Sequence, residues 1–250
     1  MRLLHVFSLA VLASFLLAGC GNGTTGPGNG NGDSGEWRGD IAQGDLVAIT
    51  GVSGPILASF TTGNETVVRW TKSGNESQFS LVSIDVVQDA DGVAITADYP
   101  SGEIDVDVTF EVEVPTGVDF LGTVVSGNVE ADGLESDVLA ITVSGNVTVS
   151  TTEVAEATTV SGNVTASIGR ANWGRDLTFA AVSGSIDVEI PSNTNAEVDA
   201  GTASGSITSD FPLSGTPTRQ TGTLGTGGPM LELGTVSGNI RLRSGPASQD

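Results

Sequence analysis

The chain has 250 residues, and 30 acidic side chains against 9 basic ones give it a net charge of −21. That balance excludes nucleic acid, which is bound by neutralising phosphates with cations, and opposes adsorption to a bare anionic bilayer. His5 and Cys20 are its only histidine and cysteine, so beyond residue 20 there is no Ser-His-Asp triad, no Cys-His nucleophile, no common zinc or iron ligand set and no internal disulfide; no cofactor or metal is expected.

Arg2 precedes an apolar run from Val6 to Leu17, which ends in Leu17-Ala18-Gly19-Cys20. A positive start, a short apolar middle and small residues before a cut predict a signal peptide over residues 1–19. The run is too short to cross roughly 30 Å of hydrocarbon. Leu-Ala-Gly-Cys resembles the lipobox of bacterial lipoproteins, which implies cleavage before Cys20 and acylation of its sulfur and its new amino group. Each buried methylene of such chains contributes about 0.8 kcal/mol to anchoring. In that family a residue other than Asp after the cysteine, here Gly21, implies export to the outer membrane if the cell is Gram-negative. The expected location is therefore the bacterial cell envelope, with the membrane as a partner through lipid on Cys20. Loss of Arg2 with the signal takes the formal charge from −21 to −22.

Residues 20–40 read as a flexible linker rich in Gly and Asn, spanning about 25 Å on average. Its Gly21-to-Gly26 match to G-x-G-x-x-G follows no strand and opens no helix, so it is no dinucleotide site. Strand signals begin near Ile41. Val67-Val68-Arg69-Trp70 and Phe79 to Val87 are candidate strands, and Asp89-Ala90-Asp91-Gly92 is a turn before a return over Val93 to Tyr99. From Ile104 to Val114 apolar residues alternate with Asp105, Asp107, Thr109, Glu111 and Glu113, which predicts a strand with one wet face, ended by Pro115. The strands of residues 41–115 are expected to cap the second half of the chain.

That half repeats itself. Val125-Ser126-Gly127-Asn128-Val129, Val143-Ser144-Gly145-Asn146-Val147 and Val160-Ser161-Gly162-Asn163-Val164 are succeeded by looser copies, Val182-Ser183-Gly184-Ser185-Ile186, Ala203-Ser204-Gly205-Ser206-Ile207 and Val236-Ser237-Gly238-Asn239-Ile240. Serine-to-serine intervals of 18, 17, 22, 21 and 33 describe stacked coils. Glycine makes each motif a bend between two strands. The residue before each serine and the residue two after each glycine are apolar and are expected to point inward. The residue two before the serine, rich in threonine, is expected to point outward. The Asn and Ser column that comes after the glycines predicts a ladder of side chains along one corner. Arg241 and Arg243 are expected to blunt an exposed last strand. The predicted fold is all-β: a β-helix-like solenoid of stacked short strands over 116–245, with a tail at 246–250.

Glu111-Val112-Glu113-Val114-Pro115-Thr116-Gly117 leading into serial Val-Ser-Gly-Asn bends, and Thr223-Leu224-Gly225-Thr226-Gly227-Gly228 before the closing repeat, carry a wider resemblance. From roughly Asp45 to Arg243 the sequence is similar to a bacterial family of secreted or membrane-attached proteins with β-strand repeats, named as candidate adhesins of unknown function. The resemblance implies a β-helix-like fold and supplies no catalytic residue.

Several groups compete as functional sites. Asp89 and Asp91 match only the first acids of a calcium loop, and a hairpin turn is the better reading. Asp105, Asp107, Glu111 and Glu113 read as a solvated face before a cation site. Glu130, Asp132, Glu135 and Asp137 are the best carboxylates for a polysaccharide hydrolase. Gly169 to Asp176 concentrates Arg170, Trp173 and Arg175 in a chain poor in both types, as a loop that meets a glycan or protein surface partner would; the competing reading folds Trp173 over the core with its arginines paired to acids. The expected function is non-catalytic binding or structural support in the cell envelope, with a hydrolase or a periplasmic envelope-sensing component as alternatives.

Overall fold

The computed structural model describes residues 33–249. The signal peptide, Cys20 and most of the linker lie outside the described residues.

The first strand, β1 (Ser34–Asp40), begins inside the stretch expected to be linker. Its glycines hid it. A Cβ on Gly35 would lie 2.3 Å from the Trp70 ring and one on Gly39 2.5 Å from the Trp37 ring, so these glycines make room for two buried indoles. Next come β2 (Leu46–Ser53) and β3 (Ile56–Thr61), then β4 (Glu65–Gly74), a 3-10 turn over Glu76–Leu81, β5 (Ser83–Asp89), β6 (Gly92–Asp98) and β7 (Val106–Pro115). The candidate strand Phe79 to Val87 is thus split: Asn75 accepts the Ser77 N–H and starts the 3-10 turn, and the strand begins at Ser83. Asp89 and Asp91 form the predicted hairpin turn, the Asp89 carboxylate accepting the Asp91 N–H at 2.9 Å.

The repeat then runs as strand pairs: β8 (Asp119–Ser126) with β9 (Val129–Leu134), β10 (Val138–Ser144) with β11 (Val147–Thr151), β12 (Ala155–Ser161) with β13 (Val164–Ile168), β14 (Leu177–Ser183) with β15 (Ile186–Pro191), and β16 (Ala196–Ser204) with β17 (Ile207–Ser209). An antiparallel excursion, β18 (Ser214–Thr216) and β19 (Arg219–Leu224), precedes the last pair, β20 (Met230–Ser237) and β21 (Ile240–Gly245). The first member of each pair enters an eleven-stranded sheet, sheet B, and the second a ten-stranded sheet, sheet A. Side chains between the two sheets form one continuous core: Val129, Val147, Val164, Ile186 and Ile240 are essentially inaccessible, each burial contributing roughly 1.5–3 kcal/mol.

Three expectations change. β2 and β3 are a seventh coil: Ser53 pairs with Ser126 and Ile56 with Val129, around a bend Val52-Ser53-Gly54-Pro55-Ile56 in which proline replaces asparagine. Residues 41–115 therefore begin the stack as well as cap it, with β5, β4 and β1 closing it by antiparallel pairing. The coils do not stack in chain order. β6 and β7 add a parallel layer on the far side of β2 and β3 from β8 and β9. β20 lies between β14 and β16, and β21 between β15 and β17, so the last coil made is the sixth of the seven that carry the bend. Arg241 and Arg243 consequently lie on the penultimate strand of sheet A and not on its last; Arg243 bridges Asp187 at 2.6 Å and Glu189 at 2.5 Å on the neighbouring β15.

The third change concerns phase. Val129 and its equivalents point inward as expected, but Val125 and Val236 are 46% and 41% exposed, whereas Val124, Thr142 and Thr159 are buried. The inward column lies two residues before each serine, and the valine column faces water. Threonine misled the pattern because its hydroxyl finds a partner inside.

Candidate functional site

Each position of the repeat has a physical duty at the bend. The glycine is set by stacking: a Cβ on Gly145, Gly162 or Gly184 would lie 2.0, 1.9 or 1.7 Å from the carbonyl oxygen of the glycine one coil below. That same carbonyl accepts a buried threonine hydroxyl. Thr142 donates to Gly127, Thr159 to Gly145, Thr235 to Gly184 and Thr202 to Gly238, all at 2.9 Å. The serines supply backbone: Gly127, Gly145 and Gly162 N–H donate to the carbonyls of Ser144, Ser161 and Ser183.

The asparagine ladder is real but is not amide to amide. The Asn128 Oδ1 accepts the Asn146 N–H at 2.9 Å, Asn146 that of Asn163 at 2.9 Å, and Asn163 that of Ser185 at 2.8 Å. Asn239 likewise accepts the Ser206 N–H at 3.0 Å. The side chain thus satisfies a backbone donor of the adjacent coil, which a bend would otherwise leave to water. Where serine stands in, at Ser185, the reach to the Asn239 N–H is 3.2 Å. The bend residues are architectural in geometry: glycine at contact distance, threonine buried and asparagine engaged with backbone.

The loop at 169–176 does not present its indole. Trp173 is 6% exposed and belongs to the core, its Nε1 without a hydrogen-bond partner among the described residues. Arg170 pairs with Glu153 at 2.6 Å, and Arg175 with Glu156 and with Asp137 at 3.4 Å. Beside this cluster burial pushes the Asp119 carboxyl up, and the neighbouring Asp137 charge adds to it; the Asp137 N–H and Arg175 act in the opposite sense. The aromatic surface expected for a glycan ring is therefore absent at Trp173, and the competing arrangement, indole over core and arginines on acids, is what the loop adopts.

The four carboxylates weighed for hydrolysis do not converge. Glu130 and Asp132 project from the outer face of sheet A, where Asp132 accepts the Ser150 hydroxyl at 2.9 Å. Glu135 lies in the connection before β10 and accepts Thr116 Oγ1 at 2.8 Å, while Asp137 faces Arg175. Among the described residues no group of three or more acidic, His or Cys side chains is placed to hold a metal ion. Two of the acids of β7 are likewise occupied: Asp107 accepts the Ser53 hydroxyl, and Glu113 pairs with Arg69 at 2.6 Å.

What the chain does present is two flat faces of opposite character. Across sheet A the outward rows carry Glu111, Glu130, Asp187 and Arg241, and beside them Glu113, Asp132, Glu189 and Arg243. Across sheet B, the valine row is Val52, Val125, Val143, Val160, Val182, Val236 and Ala203 in spatial order. The neighbouring row is Thr96, Thr50, Thr123, Ile141, Thr158, Ala180, Gly234 and Gly201. Between β2 and β16 neither row contains a charge; Asp85 on β5 and Arg219 on β19 flank the second row at its two ends. Leu46, Val52, Val87, Val125, Leu139, Met230 and Val236, seven of the eight large apolar residues exposed among the described residues, lie on this outer face; the other is Leu81. Sequence reasoning missed this surface by assigning the valine column to the core. The signal that could have found it was the buried need of threonine at the position before.

A family model described as Toastrack DUF4097 matches residues 119–243. No curated protein matches the chain. Among solved structures, a candidate cell adhesion protein from Clostridium sporogenes is similar in fold, with 10% identity, a TM-score of 0.50 and coverage of 85% of this chain and 100% of its own. A candidate adhesin from Bacteroides fragilis aligns at 16% identity over 84% of this chain and 96% of its own, with a TM-score of 0.35. Another, from Parabacteroides merdae, aligns at 11% identity over 85% and 97%, with a TM-score of 0.24.

Proposed function

The chain belongs to the Toastrack DUF4097 family, and on that premise we propose that it is a lipid-anchored protein of the bacterial cell envelope that works by binding, as a rigid non-catalytic scaffold. The observation that carries this reading is the shape of the solenoid. Two sheets of ten and eleven strands enclose a single core and offer broad outer faces, one bearing rows of acidic side chains with interspersed arginines and one with an uncharged centre rich in valine and threonine. Such faces suit contact with an extended partner, as adhesion requires, better than they suit enclosure of a small substrate. The anchor rests on the lipobox-like Leu17-Ala18-Gly19-Cys20, and the long Gly- and Asn-rich segment after it gives the folded part room to stand off the membrane.

Fractionation of cells carrying the wild-type chain or Cys20→Ala tests the anchor. The wild type is expected with membranes and the variant outside them; a variant retained on membranes overturns that part. Protease shaving of intact cells then separates an outward face from a periplasmic one. Incubation with a polysaccharide panel tests the absence of catalysis. Turnover that disappears in Glu135→Gln or Asp132→Asn would replace the binding reading with a hydrolase.

A further inference from the structure

We propose that the outer face of sheet B is a self-association surface, on which a second copy of this chain packs face to face. Three features of the fold converge on that occupant.

The first is the distribution of charge. A chain with a net charge of −21 should repel its own copies. Yet two adjacent outward rows of sheet B, spanning β2 to β16, hold no ionisable group, whereas two adjacent outward rows of sheet A hold Glu111, Glu130, Asp187, Glu113, Asp132 and Glu189 together with Arg241 and Arg243. Face-to-face contact through the two sheet B rows therefore brings no like charges together at its centre.

The second is relief. The valine row is tall, with Val52, Val125 and Val236 at 39%, 46% and 41% exposure. The row beside it is low toward one end, where Gly234 and Gly201 leave open space that a Cβ would not fill. A two-fold axis running along the stack between these rows sets the valine row of each copy over the low row of the other. Val236 then lies on Gly234 of the second copy, and Val182 on Ala180. The contact is isologous and closes on itself, which limits assembly to a dimer. Glu156, Glu232 and Asp199, one row further out on sheet B, fall at the wet rim.

The third is area. Seven strands at a spacing of about 4.8 Å, and two rows of side chains about 7 Å apart, give about 500 Å² per copy, or about 1,000 Å² in all. That reaches the floor for a specific interface and falls well short of an obligate one, so the dimer is of the weak, reversible kind. This inference goes beyond the binding reading above and does not depend on the lipid anchor, since the described fold lies wholly downstream of Cys20.

Sedimentation velocity on the chain from Cys20 onward, bearing Cys20→Ser to exclude lipid, tests it from roughly 1 µM to roughly 300 µM. A monomer–dimer equilibrium is expected, which Val125→Lys/Val236→Lys weakens by more than roughly tenfold. Both positions are exposed, so the fold tolerates the change, and added lysines reduce the net negative charge. If association ran through any other surface, the variant would dimerise as well or better. The matched pair Thr148→Lys/Thr165→Lys on sheet A is expected to leave dimerisation intact. A protein monomeric throughout the range, a dimer insensitive to the valine substitutions, or one lost equally with the sheet A pair overturns the proposal.

Discussion

Substitution of Gly162 by alanine probes the stacking directly. The new Cβ would lie 1.9 Å from the Gly145 carbonyl oxygen, whereas real Cβ contacts stay beyond 3.0 Å, so the two coils must part by about 1.1 Å. Four bonds span that seam at the bend: Gly145 N–H to Ser161, Val147 N–H to Asn163, Thr159 Oγ1 to Gly145 and Asn163 N–H to Asn146 Oδ1, each at 2.9 Å. Stretched by that amount they cease to be hydrogen bonds. At about 1 kcal/mol each, their loss is worth about 4 kcal/mol. A φ of +152° at an alanine adds about 1–2 kcal/mol. The expected destabilisation is about 5–6 kcal/mol, a large part of the stability of any domain. Gly201 and Gly234 are the controls, because a Cβ there meets nothing within 4 Å; alanine at either is expected to change stability by less than about 1 kcal/mol. Urea titration followed by tryptophan fluorescence measures both, since Trp37, Trp70 and Trp173 are all buried and all report unfolding. A Gly162→Ala variant as stable as the controls would refute the claim that glycine is dictated by the coil beneath it.

Other outcomes rest on the same geometry. Asn163→Ala removes the acceptor for the Ser185 N–H and is expected to cost about 1 kcal/mol, with faster amide exchange at Ser185 detected by NMR; unchanged exchange would contradict the ladder. Tyr99 is the only tyrosine, and its hydroxyl donates to the carbonyls of Val106 at 3.0 Å and Ser53 at 3.3 Å. Burial first, and the Asp107 charge second, push its pKa up to about 12 from an ordinary 10.0. The folded chain therefore holds this proton where the unfolded chain releases it. The stability that Tyr99 contributes is complete below pH 10 and is lost as the pH rises through about 12. Ultraviolet titration with fluorescence as a check on folding should place the midpoint near 12, and a midpoint near 10 in a folded chain would count against burial of the hydroxyl against the Ser53 and Val106 carbonyls. Trp173→Ala is expected to cost about 3–5 kcal/mol in urea titration through the cavity it leaves, the opposite of what an exposed binding residue would show.

Much of the stack was legible in the residues themselves. Serial Val-Ser-Gly-Asn gave the bends and their alignment, because glycine and a stacked asparagine have few other uses at a fixed interval. The alternation through β7 gave a strand with one wet face. The orientation of the valine column was not legible, because a threonine at 1% exposure, such as Thr142 or Thr159, violates the rule that polar residues face out until its carbonyl partner is known. The first coil escaped because Pro55 stands where the later copies carry asparagine or serine, and β1 because glycine beside a tryptophan reads as linker when the second tryptophan, Trp70, is distant in sequence. The loop around Trp173 illustrates the converse. Rarity of arginine and tryptophan drew attention to it, yet its acids at Glu153, Glu156 and Asp137 come from three different connections and strands that only the fold brings together.

The insertion of β20 and β21 between earlier strands has a bearing on biosynthesis. Synthesis and export alike deliver the seventh of the bend-bearing layers before the sixth, so layers can be added in chain order only from β8 as far as β15. From there β16 and β17 gain their parallel partners only once Met230 to Gly245 are present to fill the gap beneath them. A stop codon just before Met230 would therefore do more than shorten the rack by one slice. It would leave a missing slice within it, and the segment above would have nothing to rest on.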